Sequence, residues 1–80
     1  MVVDLHGIRI HEGWNIFKDA ISNAYYDNRK SIKVITGKGQ MLLEFESWCN
    51  SNQHIREVNM NLDGGSFTVK LKKRDAKKRL

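Results

Sequence analysis

The chain reads as one two-layer α/β sandwich, in which a mixed four-stranded sheet carries both helices on one face. Three observations predict this class. Eighty residues suffice for one core and are too few for two. Short β-branched runs closed by glycine alternate with longer stretches of helical apolar spacing. The last two apolar segments alternate with polar residues around a "DGG" turn, so each has one buried and one wet face.

The first run, "VVDLHGI", is short and β-branched and is closed by Gly7, which predicts a strand ending near His6. Ile10, Trp14, Phe17, Ile21 and Ala24 then recur at three and four residues, the stripe of an amphipathic helix. Its start is weak, because no Ser, Thr, Asp or Asn stands beside Arg9 and Ile10 and because Gly13 falls in the first turn. "DNRKS" ends it. "SIKVITG" predicts a second strand, and Met41, Leu42, Phe45, Trp48 and Cys49 a second helix. Val58, Met60 and Leu62, then Phe67, Val69 and Leu71, predict a closing hairpin with those side chains turned inward. A strand–helix–strand unit of this length closes as a right-handed parallel crossover. The first two strands should therefore be parallel neighbours.

The net charge of +5 is unevenly placed. Residues 1–69 carry seven Lys and Arg against eight acids, whereas "KLKKRDAKKRL" carries seven bases against Asp75 alone. Residues 1–72 are accordingly expected to form the domain and 73–80 a disordered basic tail suited to phosphate backbones. Cys49, the only cysteine, excludes an internal disulfide framework and a Cys-rich zinc site. With no signal-peptide pattern and no apolar stretch of membrane-spanning length, the expected location is the cytoplasm.

Two constellations carry chemistry. Side chains two apart on a strand share a face, so with Val3 and Leu5 under the helices, Asp4 and His6 project together from the open face, roughly 6–7 Å apart along the strand. An acid that orients an imidazole is equipment for general acid–base work. "TGKGQ", Thr36 to Gln40, joins the second strand to the second helix: two glycines let the main chain approach a phosphate, and the helix N-terminus offers free N–H groups. It is not a Walker A loop, since the required spacing is absent. Ligands of open α/β sheets favour the carboxyl ends of parallel strands, which would bring Asp4, His6 and Lys38 together. That set suits phosphodiester chemistry.

With "DLHG" at 4–7, "ITGKG" at 35–39 and "GGSFTVKL" at 64–71, the chain resembles the Smr (small MutS-related) domain over residues 2–72. The resemblance implies a fold similar to the C-terminal domain of bacterial translation initiation factor three, and either nicking of DNA or endonucleolytic cleavage of RNA. It assigns catalysis to Asp4 and His6, maps the loop's basic residue onto Lys38, and makes Gly37 and Gly39 backbone contacts. Arg9 stands where the family commonly has a helix-capping Thr or Ser.

Asp4 is the only acid among these motifs, which does not suit a two-metal nuclease. The expectation is metal-independent cleavage of RNA through its own 2′-OH, with His6 as the base, Lys38 on the developing charge and Asp4 orienting His6. Nicking of branched or nicked DNA would call for Mg²⁺. Nucleic acid is expected to touch Thr36, Gly37 and Gly39 and the basic residues Lys72, Lys73, Arg74, Lys77, Lys78 and Arg79. The alternative is a nucleic-acid-binding module without catalysis.

Overall fold

The computed structural model describes residues 1–73. Its order is β1 (Val2–Asp4), α1 (Ile10–Tyr26), β2 (Ser31–Ile35), α2 (Gln40–Asn50), β3 (Ile55–Met60) and β4 (Ser66–Leu71). The sheet order is β1-β2-β4-β3, with β1 and β2 parallel and the remaining pairs antiparallel. This is the predicted mixed four-stranded sheet with its parallel pair and closing hairpin.

The core lies between the sheet and the helices. Leu5, Val34 and Val69 meet Phe17, Ile21, Phe45 and Trp48, all buried. Phe45 stacks on Phe67 at 4.4 Å between ring centroids and meets Phe17 edge-on at 5.0 Å, so one aromatic column ties both helices to β4. Gly13 costs helix propensity, but Met41 explains its position: a Cβ there would stand 2.6 Å from the Met41 methyl, so the small residue lets α1 approach α2. Cys49 is a packing residue. Burial, then the charge of Glu46, pushes its thiol up to about 12.

Helix ends follow local chemistry. Arg9 is extended at the start of α1 and makes no side-chain cap. At the other end Asn28 takes the left-handed conformation (φ 61°) while the N–H groups of Asn28 and Arg29 donate to the carbonyls of Tyr25 and Ala24. This double closure is a Schellman motif, with asparagine in the place glycine usually takes.

Two expectations need correction. β1 ends at Asp4 rather than near His6, because the chain turns there: Leu5 N–H still donates to Ile35 at 2.7 Å, but Ile8 N–H then folds back to the Leu5 carbonyl. In β3, Val58 packs against the core but Met60 is 55% exposed, and Leu62, in the turn just past the strand, is fully exposed. β3 is an edge strand with a bulge at Arg56, and its far end runs past the core that Ile55 and Val58 join. Apolar alternation at an edge shows which face a side chain takes, not whether anything covers that face.

Candidate functional site

The parallel pairing sets the site. β1 and β2 run side by side in the register Asp4↔Ile35, so the segments leaving them, Leu5–Arg9 and Thr36–Gly39, emerge together. β4 runs the other way, with Ser66 opposite Ile35, so the hairpin turn before it arrives at the same edge. Three glycine-bearing segments thus meet at one end of the sheet.

Main-chain bonds lock them. The N–H groups of Thr36 and Gly37 both donate to the Gly65 carbonyl at 3.0 Å, and the Thr36 hydroxyl donates to the Gly37 carbonyl at 2.9 Å. Gly37 has φ +77°, which only glycine adopts without strain, and a Cβ there would lie 3.6 Å from the Cβ of His6. Across the loop, Gly65 faces the Gly37 backbone and the Lys38 side chain, both 3.6 Å from where its own Cβ would be. Lys38 therefore lies along the Gly64–Gly65 turn while His6 lies against Gly37.

Asp4 and His6 are both exposed, at 59% and 71% of their side chains. The Asp4 carboxylate accepts the main-chain N–H of His6 at 3.1 Å, and its Oδ1 stands 3.8 Å from His6 Nδ1. The expected orientation of the imidazole thus operates first through the backbone, with the ring at ion-pair range. The Cδ2 edge faces Gly37, so the ring is held between Asp4 and the glycine loop. Nε2, at its tip, has no partner among the described residues.

His6, Lys38, Gly37 and Gly39 line one cleft of about 270 Å³ together with Arg9, Gln40 and Met41. α1 and α2 both begin on it. The N–H groups of Lys38 through Met41 find no acceptor among the described residues, and α2 has no acidic residue in its first turn. Two helix N-termini, Lys38 and Arg9 make this edge attractive to an anion.

The sequence-predicted residues take different places. Asp4, His6 and Lys38 come together at this edge, and Gly39 lines the cleft with its N–H unengaged among the described residues. Thr36 is buried, and its N–H and hydroxyl are used inside the loop, as is the N–H of Gly37; these two shape the loop rather than offer those groups to a ligand. Lys72 and Lys73 are exposed at the far end of β4, away from the cleft. Arg74, Lys77, Lys78 and Arg79 lie outside the described residues.

Sequence reasoning missed the Gly64–Gly65 turn and Arg9 as part of the site. The turn had a signal: a strand returning antiparallel beside β2 must begin where β2 ends. Asp63 holds this turn, accepting the Gly65 N–H at 2.9 Å and the Ser66 hydroxyl at 3.0 Å. The Gly65 bond, then Ser66 and then the Lys33 charge hold the Asp63 carboxyl below its ordinary value. A depressed folded value means that the ionised form supports the turn above the ordinary carboxylate pKa, and that this support is lost as pH falls through the folded value. Asp63→Asn is expected to loosen the Gly65 clasp on Thr36 and Gly37, visible as faster amide exchange at those two N–H groups near neutral pH. The wild type should lose protection at these two positions, relative to the intrinsic rate at each pH, only as pH falls through the folded Asp63 value.

Among the described residues, no three His, Cys, Asp or Glu side chains gather so as to hold a metal ion, and no helix is long and apolar enough to cross a membrane.

A parallel crossover with glycine loops at its carboxyl edge and a hairpin closing over them defines a small α/β domain of the open-sheet class. More narrowly, the Smr domain model matches residues 3–72, and the chain belongs to that family. The crystal structure of the Smr domain of Thermus thermophilus MutS2 has the same fold: TM-score 0.82 at 18% identity, covering 89% of this chain and 96% of that one. No curated protein sequence matches the chain. Smr domains are known for nucleic-acid binding and endonuclease activity.

Proposed function

We propose that this domain is an RNA endonuclease whose catalytic group is His6. The observation that carries the reading is the convergence of His6, Lys38 and two helix N-termini on one cleft, with the Nε2 tip of His6 unengaged among the described residues. A phosphate seated at the N-termini of α1 and α2 is held by dipoles and free N–H groups that need no reorganisation.

His6 takes the proton of the ribose 2′-OH, and the 2′-oxygen bonds to phosphorus as the P–O5′ bond breaks. The leaving oxygen is protonated by water, and His6 returns its proton to solvent. The products are a 2′,3′-cyclic phosphate and a 5′-OH. Lys38 offsets the charge that builds on the phosphorane, and Asp4 fixes the main chain of His6. Mg²⁺ has no step in this sequence.

A substrate with a single 2′-deoxynucleotide at the scissile position tests it. Cleavage there should vanish in EDTA buffer while binding persists. Undiminished cutting overturns the mechanism, and cutting that appears only with Mg²⁺ moves the reading to DNA nicking. Binding of the all-ribose substrate without any cutting would make the domain a binding module.

A further inference from the structure

The pole of the sheet opposite the cleft carries a second concentration of cations. Lys30 precedes β2, Arg56 sits at the bulge of β3, and Lys72 and Lys73 follow β4. Lys30, Arg56 and Lys73 line one open depression of about 340 Å³ together with Leu71. Arg56 and Lys72 also line its larger neighbour.

The main chain builds this cluster. Leu71 N–H donates to the Lys30 carbonyl at 2.9 Å and Lys72 N–H to the His54 carbonyl at 2.8 Å, so the end of β4 is pinned between the start of β2 and the start of β3. The bulge supplies Arg56: Ile55 pairs with Leu71 and Glu57 with Lys70, which leaves Arg56 as the extra residue beside the depression. Bulges commonly re-aim a side chain in this way.

These four exposed cations form no ion pair with a carboxylate among the described residues. Glu57, the acid on the rim, is hydrogen-bonded to Asn59; that bond, then the charge of Lys70 and last that of Arg56, hold its carboxyl below the ordinary value, and no carboxylate oxygen of it lies within ion-pair distance of the four cations. Next to the cluster His54 stacks on Tyr25 at 4.0 Å, with the exposed ring of Tyr26 edge-on to Tyr25. Basic side chains beside flat aromatic faces suit a nucleic-acid strand, whose phosphates and bases they match respectively.

We infer that this pole is an exosite for the phosphodiester backbone of the same nucleic acid that enters the cleft. The inference rests on the nucleic-acid reading above. Lys30 and Thr36 are separated by the length of β2, roughly 20 Å at strand rise. A bound strand therefore needs about six nucleotides at duplex spacing to reach both poles. The exosite grips the flank of a substrate, and the cleft acts on its scissile bond.

The test uses the full chain with 2′-O-methyl RNA, which has no 2′-OH to attack, as a 16-nucleotide probe followed by fluorescence anisotropy over a salt series. Lys30→Gln with Arg56→Gln should weaken binding roughly tenfold and reduce the salt slope by about 1.4, the share of two single-strand phosphate contacts. Turnover of a saturating all-ribose substrate should not change. Lys33→Gln, which removes one charge from the open face of β2, serves as the control and should shift binding far less than either single variant. Equal weakening by Lys33→Gln, or a double variant that binds like the wild type, overturns the exosite and leaves the proposed function standing. A wild type that binds neither the probe nor RNA overturns both.

Discussion

His6→Ala is expected to slow single-turnover cleavage by about 10²- to 10⁴-fold, the usual worth of a positioned general base. The thermal midpoint should not move. The imidazole is mostly exposed, and its neighbours are the Asp4 carboxylate at 3.8 Å and the surface of Gly37, so its removal leaves no core cavity. The turn survives as well, because Asp4 accepts the main-chain N–H of residue 6, which alanine retains. Binding should persist within a few-fold, since Lys38, Arg9 and both helix N-termini remain on the cleft. Kinetics on saturating RNA together with a thermal melt separate the alternatives. Unchanged cleavage contradicts the assignment, and a lost activity that tracks a lowered midpoint would place His6 in the fold rather than in the chemistry.

Phe45→Ala is expected to have the largest effect on stability. The ring is fully buried, stacks on Phe67, meets Phe17 edge-on and lies 5.9 Å from Trp48, so one truncation empties the centre of the aromatic column. Such truncations cost about 3–5 kcal/mol once the residual cavity is included. Small domains hold only about 5–15 kcal/mol in total. For a chain of this length the midpoint should fall by roughly 15–30 °C, with the denaturant midpoint falling in proportion. A loss below about 1 kcal/mol would mean that the helices close over the gap, and that the column does not set the spacing between the layers.

Much of the architecture was legible because its signals are local. Gly7 and the β-branched run before it mark β1, and the parallel crossover follows from the length of α1 and its connections. Asp4 and His6 were readable as a pair from strand alternation, although the imidazole is reached by a turn and the acid holds it through the main chain. What was not legible depends on partners distant in sequence. The fate of Met60 depends on how far the core reaches along an edge strand, and the bulge at Arg56 has no pattern in an alternating run. Thr36 resembled a phosphate donor until the Gly65 carbonyl, 29 residues on, was found to occupy its N–H and lie within reach of its hydroxyl. Gly13 was readable as a weak helix start but not as the contact surface for Met41.

The hairpin between β3 and β4 has the widest functional consequence. Asp63 holds Gly65, Gly65 holds Thr36 and Gly37, and Gly37 lies against His6. A turn far in sequence from the acid–histidine pair thereby sets where the imidazole sits, and Lys38 takes its course along the same turn.

The end groups of the cleavage products test the central claim most directly. RNA cut by this domain in EDTA buffer should carry a 2′,3′-cyclic phosphate on the upstream fragment and a 5′-OH on the downstream one, the end groups that the proposed attack by the ribose hydroxyl leaves. Fragments ending in a 3′-OH and a 5′-phosphate would mean that water attacked instead, and would contradict the role given to His6.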